Sequence, residues 1–284
     1  MIDILSTDIF IGIIVFLFGT IIGSFLNVVI FRYGSGTSSV RSRSRCLSCG
    51  KTLSWKELFP LLSFLILRGK CRHCGIHIST QYPLVEFLTG ALFTIVYILV
   101  SPHLAYGLPQ FPFLIGDVLF LWAITALLIV ILVYDMRHMI IPDMFAYGFA
   151  GLALAYTFLP VLYFGWQAVS YGDLLAGPVF ASAFALVWLL SKGTWMGLGD
   201  AKLVLGMGIL LGFRGGFSAL LLAFWSGALW GLTAIALQRY AHMLQLSGKQ
   251  KQFTMKSEVP FGPFLIAGLF AVLLFRFDIL SLLI

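Results

Sequence analysis

The sequence predicts an all-α integral membrane protein with about eight transmembrane helices and one sizeable polar loop, between helices 1 and 2. Two features of composition and one of pattern predict it. Of the 284 residues, 60% are hydrophobic and only 10% are charged. A soluble globular chain carries roughly a quarter charged residues, so most of this surface must meet hydrocarbon and a water-soluble protein is excluded. The mean hydropathy of +1.01 agrees. The pattern is the recurrence of apolar runs close to the ~20 residues needed to cross a hydrocarbon layer about 30 Å thick.

Taken in order, the first run covers about 9–31, followed by runs at 84–103, 113–134, 144–164 and 173–191. The opening segment is too long for a signal peptide and lacks both a basic start and a small-residue cleavage site, so it is expected to be retained. A short sixth run at 201–213 is marginal for a full crossing, so tilt or cover by neighbours is expected there. Arg214-Gly215-Gly216 is expected to separate it from a seventh run at about 217–237, and the eighth begins at Phe261-Gly262-Pro263. The expected organisation is a first helix over 1–31, a soluble loop over 32–83 and a polytopic helical core over 84–284. No internal repeat or low-complexity tail is present.

The charges set an orientation. Of the eighteen Lys and Arg, nine lie in the 32–83 loop: Arg32, Arg41, Arg43, Arg45, Lys51, Lys56, Arg68, Lys70 and Arg72. Basic residues stay on the cytoplasmic side, so that loop is expected to be cytoplasmic and both termini outside. With eight crossings, Arg137, Lys192, Arg239, Lys249, Lys251 and Lys256 fall on the same side, leaving Arg214 and Arg276 opposite. The net charge of +7 therefore belongs to membrane-boundary loops rather than to a nucleic-acid surface.

Four cysteines occur as two close pairs in that loop, Cys46-Leu-Ser-Cys49 and Cys71-Arg-His-Cys74. Each CxxC turn places two thiolates on one side, and two such turns complete a tetrahedron around a zinc ion with no open position. The metal would be structural. A reducing cytoplasmic setting argues against disulfides, and neighbouring Arg and Lys favour the thiolates. His73 and His77 read as surface or neighbouring groups rather than ligands. Unmetallated structural or redox cysteines are the competing reading.

Two carboxylates stand out at the ends of apolar runs. Asp135 directly follows LLIVILVY, and Asp200 closes Met196-Gly197-Leu198-Gly199-Asp200. An acid in or near hydrocarbon is expensive and is a functional candidate by default. If the two converge, like-charge repulsion separates their pKa values, leaving one general base and one general acid able to activate water against an amide. Gly197 and Gly199 would let a strand approach Asp200. Taken alone, Asp200 is equally a first-turn acid favoured by the helix dipole. Asp143, after Pro142, reads as a helix-start or water-exposed acid, and Lys202 as a residue that tunes Asp200 or snorkels to the interface, the latter being favoured.

These residues together resemble the type IV prepilin leader peptidases, intramembrane aspartic proteases of the GxGD class. The resemblance runs through Gly23-Ser24-Phe25-Leu26-Asn27-Val28 with Arg32, both CxxC pairs, Leu61-Leu62-Ser63, Arg68-Gly69-Lys70-Cys71 and Tyr82-Pro83-Leu84-Val85-Glu86. It continues through Asp135 with Ile141-Pro142-Asp143, the Gly197-Leu198-Gly199-Asp200-Ala201-Lys202 box, and Pro260-Phe261-Gly262-Pro263. It implies cleavage of the basic leader of prepilins or type II secretion pseudopilins at the cytoplasmic face of a bacterial inner membrane, with Asp135 and Asp200 catalytic. The cysteine loop further implies N-methylation of the new N-terminus from S-adenosylmethionine. No nucleotide-binding glycine motif identifies the donor's contacts. The Arg/Ser run before Cys46 and Glu57-Leu58-Phe59-Pro60 depart from the family pattern.

Within the enzyme class, a peptidase without methylation or a methylase with a degenerate protease is an alternative, and two other classes compete. A transporter would place its acids near the midplane on broken helices or inverted repeats, whereas Asp135 and Asp200 map to a membrane edge. A non-catalytic scaffold with a metal loop would need no convergent acids.

Overall fold

The computed structural model describes residues 2–36, 43–46, 48–100, 111–165, 170–243 and 259–279. Arg41, Lys249, Lys251 and Lys256, counted above for orientation, lie outside them. The described residues are helical apart from turns and isolated bridges, as an all-α membrane protein requires. With no water in hydrocarbon, each spanning segment must satisfy its own backbone hydrogen bonds. The helices are α1 (Ile2–Arg32), α2 (Leu62–Ile66), α3 (Gln81–Val100), α4 (Phe111–His138), α5 (Asp143–Phe158), α6 (Val161–Phe164), α7 (Tyr171–Ser191), α8 (Leu198–Met243) and α9 (Gly262–Phe275). Five of them, α1, α3, α4, α7 and α8, contain stretches long and apolar enough to cross a membrane.

The chain divides into two compact units, Met1–Val133 and Tyr134–Ile284. In the first, α1 and α3 run antiparallel along a seam of small residues. A Cβ on Gly19 would stand 2.8 Å from Gly90 Cα, and one on Gly23 would stand 2.8 Å from Glu86 Cα. Backbones this close gain van der Waals contact that larger side chains would prevent, the usual basis of helix association in lipid. On α4, Trp122 Nε1 donates to Phe93 O on α3 at 3.0 Å, and the two rings stack with centroids 5.1 Å apart. The indole N–H is thereby satisfied inside an apolar layer.

In the second unit α8 is central, with α5, α7 and α9 packed against it. Gly208 sits on the backbone of Gly177, again at a distance only glycine permits. The expected break after Arg214-Gly215-Gly216 is not there. Residues 213–216 are helical, and α8 is interrupted instead at Gly212, whose φ of 68° and ψ of −172° are non-helical. The carboxylate of Asp173 explains the position: its Oδ1 accepts the Phe213 N–H at 3.2 Å and so caps the half-helix that starts there. Gly216 serves packing, because a Cβ there would meet the Phe180 ring at 2.6 Å. The expected fourth run is also divided, with α5 ending before Pro160 and the short α6 following it.

The loop is built from two near-identical knuckles. Gly50 N–H donates to Cys46 O and Gly75 N–H to Cys71 O, both at 2.9 Å, while the isolated bridges Arg45–Thr52 and Lys70–His77 close each turn. Gly50 and Gly75 share a φ of 71°, a conformation that glycine adopts without strain.

Candidate active site

Asp135 lies in the last turn of α4, and Asp200 in the first turn of α8. Both are buried, at 4% and 8% exposure, which separates them from ordinary helix-end acids left in water. The elements carrying them meet around Ile141. A Cβ on Gly199 would stand 2.9 Å from Ile141 Cβ, and one on Gly262 would stand 3.4 Å from Ile141 Cδ1. Gly199 is therefore small because the α8 start packs directly on Ile141. Gly197 is more open, with the Asp200 carboxylate 3.8 Å from where its Cβ would be.

Asp135 has a backbone donor. Gly262 N–H, at the start of α9, donates to its Oδ2 at 3.1 Å in a buried setting. A Cβ on Gly262 would fall 2.5 Å from the same oxygen, so this approach is open to glycine alone. The sequence places Gly262 within Pro260-Phe261-Gly262-Pro263 but shows no role for it. The available signal was a glycine between prolines just before an apolar helix, which does not show which distant group it meets.

Lys202 is not drawn to either aspartate. Its Nζ lies 2.5 Å from Asp143 Oδ1 and 5.5 Å from the centroid of the Tyr147 ring. Asp143 starts α5, and its side chain is 65% exposed, as expected of a helix-start acid in water. The pair ties the starts of α5 and α8 together.

In the first unit Cys46, Cys49, Cys71 and Cys74 converge, with their sulfurs all within 4.8 Å of one another and those of Cys46 and Cys74 3.8 Å apart. Backbone N–H groups of Cys49 and Ser48 favour the Cys46 thiolate and lower its pKa to about 6. At Cys74 the Ile76 N–H also favours the thiolate, but burial and the three neighbouring sulfurs outweigh it and push the thiol up to about 11. Four sulfurs this close cannot all carry charge without a cation among them, so the cluster is a closed four-thiolate site able to hold a metal ion. His73 is directed elsewhere, with Nε2 3.7 Å from Glu57 Oε1, and His77 lies in the second bridge. For a nucleoside methyl donor the described residues offer no strand, glycine loop and helix cradle, and no donor contact is assigned.

Comparison with known proteins gives two successive family matches. Residues 17–100 match the Bacterial Peptidase A24 N-terminal domain, and residues 122–232 match the Type IV leader peptidase family. A prepilin leader peptidase/N-methyltransferase of Aeromonas salmonicida is 32% identical over 92% of this chain and 89% of its own length. The chain belongs to the type IV leader peptidase family. Another relative of the same description, from Bacillus subtilis, is 30% identical over 94% of this chain and 96% of its own length. One from Myxococcus xanthus is 36% identical over 78% of this chain, but the match spans only 62% of that protein. No solved structure matches. Both family matches hold residues singled out here: the four cysteines fall in the N-terminal domain, and Asp135 and Asp200 in the leader peptidase segment.

Proposed function

We propose that this multi-pass membrane protein is an aspartic endopeptidase that removes the basic leader of prepilins or pseudopilins at the cytoplasmic face of a bacterial inner membrane. We also propose that it N-methylates the new N-terminus. The observation that carries the hydrolytic part is the pair of buried carboxylates, Asp135 and Asp200, on helix ends that meet around Ile141. One carboxylate, ionised, takes a proton from water as the oxygen attacks the amide carbon. The other, protonated, gives its proton to the departing nitrogen. Gly262 N–H holds Oδ2 of Asp135, which would leave the other oxygen for the reacting water. A substrate whose apolar segment stays in lipid while its basic leader reaches water would present its scissile amide at such helix ends.

The four-cysteine cluster is read as a structural zinc site, since four thiolates at tetrahedral count leave no open position for substrate. S-adenosylmethionine would supply the methyl group when bound. Residues 1–31, 32–83 and 84–284 are read as first helix, metal loop and protease core, with both termini outside. The test is incubation of purified, zinc-verified protein with full-length prepilin and S-adenosylmethionine, reading the product N-terminus by mass spectrometry. A shortened, methylated product is expected. A shortened, unmethylated product would remove the methyl-transfer half, and intact substrate would return the scaffold reading.

A further inference from the structure

The seam between α1 and α3 ends, beneath the loop, in a polar group that leader cleavage does not use. Glu86 on α3 is 7% exposed and Asn27 on α1 is 1% exposed. Gly23 packs against Glu86 Cα, and one turn further along the antiparallel pair Asn27 Nδ2 donates to Tyr82 O at 3.1 Å and to Gly23 O at 3.3 Å. Both side chains therefore lie on the seam within about one helical turn. Glu86 Oε2 accepts the Leu61 N–H at 2.8 Å. Among the described residues no cation pairs with Glu86. Asn27 Oδ1 is buried with no hydrogen-bond partner.

Each of these features is costly for an ionised carboxylate and a buried amide oxygen. A buried carboxylate held by neutral donors alone, and an amide oxygen with none, both lose solvation that the fold does not restore. Their surplus is of acceptors, so the missing group is a donor, and the carboxylate favours a positive one. The Leu61 N–H now on Glu86 comes from a residue at φ 60° and ψ −50°, outside the regions comfortable for a side-chain-bearing residue. Release of that contact would let the Leu61 backbone relax. Phe31 and Tyr82 stack on one another beside Asn27 with centroids 4.8 Å apart.

We propose that Glu86 and Asn27 form a site for a primary ammonium group, the new N-terminus produced by leader cleavage, which displaces the Leu61 N–H and yields a proton to Glu86. One N–H bond of the ammonium breaks, one O–H bond forms on the carboxylate, and the electron pair stays on nitrogen as the lone pair that methylation needs. Asn27 Oδ1 accepts a remaining N–H and holds that nitrogen in place. The assignment rests on the proposed reading of the chain as a peptidase and N-methyltransferase.

The experiment uses the full-length, zinc-loaded protein in detergent without methyl donor. It measures binding of a fluorescent mature-pilin peptide with a free N-terminus against the same peptide N-acetylated. The free-amine peptide is expected to bind at least about tenfold more tightly, and Glu86→Gln and Asn27→Leu are each expected to abolish that preference. Zinc content and hydrogen-exchange protection of residues 58–66 are expected to stay as in the unmodified protein. A preference that survives in E86Q, or that is absent from the unmodified protein, overturns the proposal. If E86Q also loses loop protection, N27L decides, because it leaves the Leu61–Glu86 contact in place: retained preference in N27L overturns the site. Cleavage and methylation of full-length prepilin by the unmodified protein, assayed separately, report whether the underlying reading fails instead.

Discussion

Replacing Gly262 by alanine separates site geometry from stability. The new Cβ would sit 2.5 Å from Asp135 Oδ2 and 3.2 Å from its Cγ, where ordinary contact begins near 3.4 Å. Either the carboxylate or the α9 start must move by most of an ångström, and the 3.1 Å N–H···Oδ2 bond is lost or bent. A hydrogen bond to a charged group is worth about 1.5–3 kcal/mol. A displacement of about 1 Å in a catalytic group lowers rate by roughly 10²-fold. The expected result is a fall of about 10²-fold in kcat for leader cleavage. Helix propensity acts in the opposite direction, since alanine at a helix position is favoured over glycine by up to ~1 kcal/mol. The thermal midpoint should therefore fall much less than the activity. Gly151, exposed on α5 with nothing within 4 Å of its Cβ position, is the matched control, and Gly151→Ala should leave cleavage unchanged. Cleavage by G262A within about threefold of the unmodified enzyme would refute the claim that this backbone donor positions Asp135.

Asp135→Asn and Asp200→Asn should each abolish leader cleavage while leaving expression and membrane insertion normal, because neither amide can exchange the proton; gel-shift cleavage of prepilin checks this, and retained activity in either variant rules out the dyad. Stripping metal with a chelator, or changing Cys46 or Cys71 to Ser, should reduce methylation and loop protection more than peptide-bond hydrolysis, and equal loss of hydrolysis in an inserted, folded variant would contradict that division. Lys202→Met should lower stability by no more than ~1 kcal/mol, since its partner Asp143 is largely exposed, and should leave the pH profile of cleavage in place; a shifted profile would show that Lys202 acts on the dyad after all. Glu57 is held below the ordinary carboxylate range, first by the Ser54 backbone N–H and hydroxyl and then by His73 and Arg72. A lowered folded pKa stabilises above the unfolded value and is lost as pH falls through the folded one. Glu57→Gln should accordingly speed amide exchange around Ser54 at neutral pH, with the difference from the unmodified protein shrinking as pH falls below the ordinary carboxylate range and vanishing once Glu57 is protonated in the folded protein.

How much of this was legible from sequence depended on whether the interaction is local in the chain. Membrane-spanning helices and the four-cysteine cluster follow from run length and from CxxC spacing, because hydrophobic thickness and thiolate geometry act over a few consecutive residues. The candidacy of Asp135 and Asp200 was equally visible, since a carboxylate at the end of an apolar run is expensive wherever the rest of the chain lies. Tertiary contact decided the remainder. The break in α8 lies at Gly212 rather than after Arg214-Gly215-Gly216 because the capping carboxylate, Asp173, comes from another helix forty residues away. Gly262 became a site residue only when α9 brought its N–H to Asp135, and Lys202 was committed to Asp143 by the approach of α5 to α8. Composition and spacing record what each segment needs from its solvent and its near neighbours. Which distant group meets that need is settled by helix packing, where the absence of a single Cβ determines how closely two backbones approach.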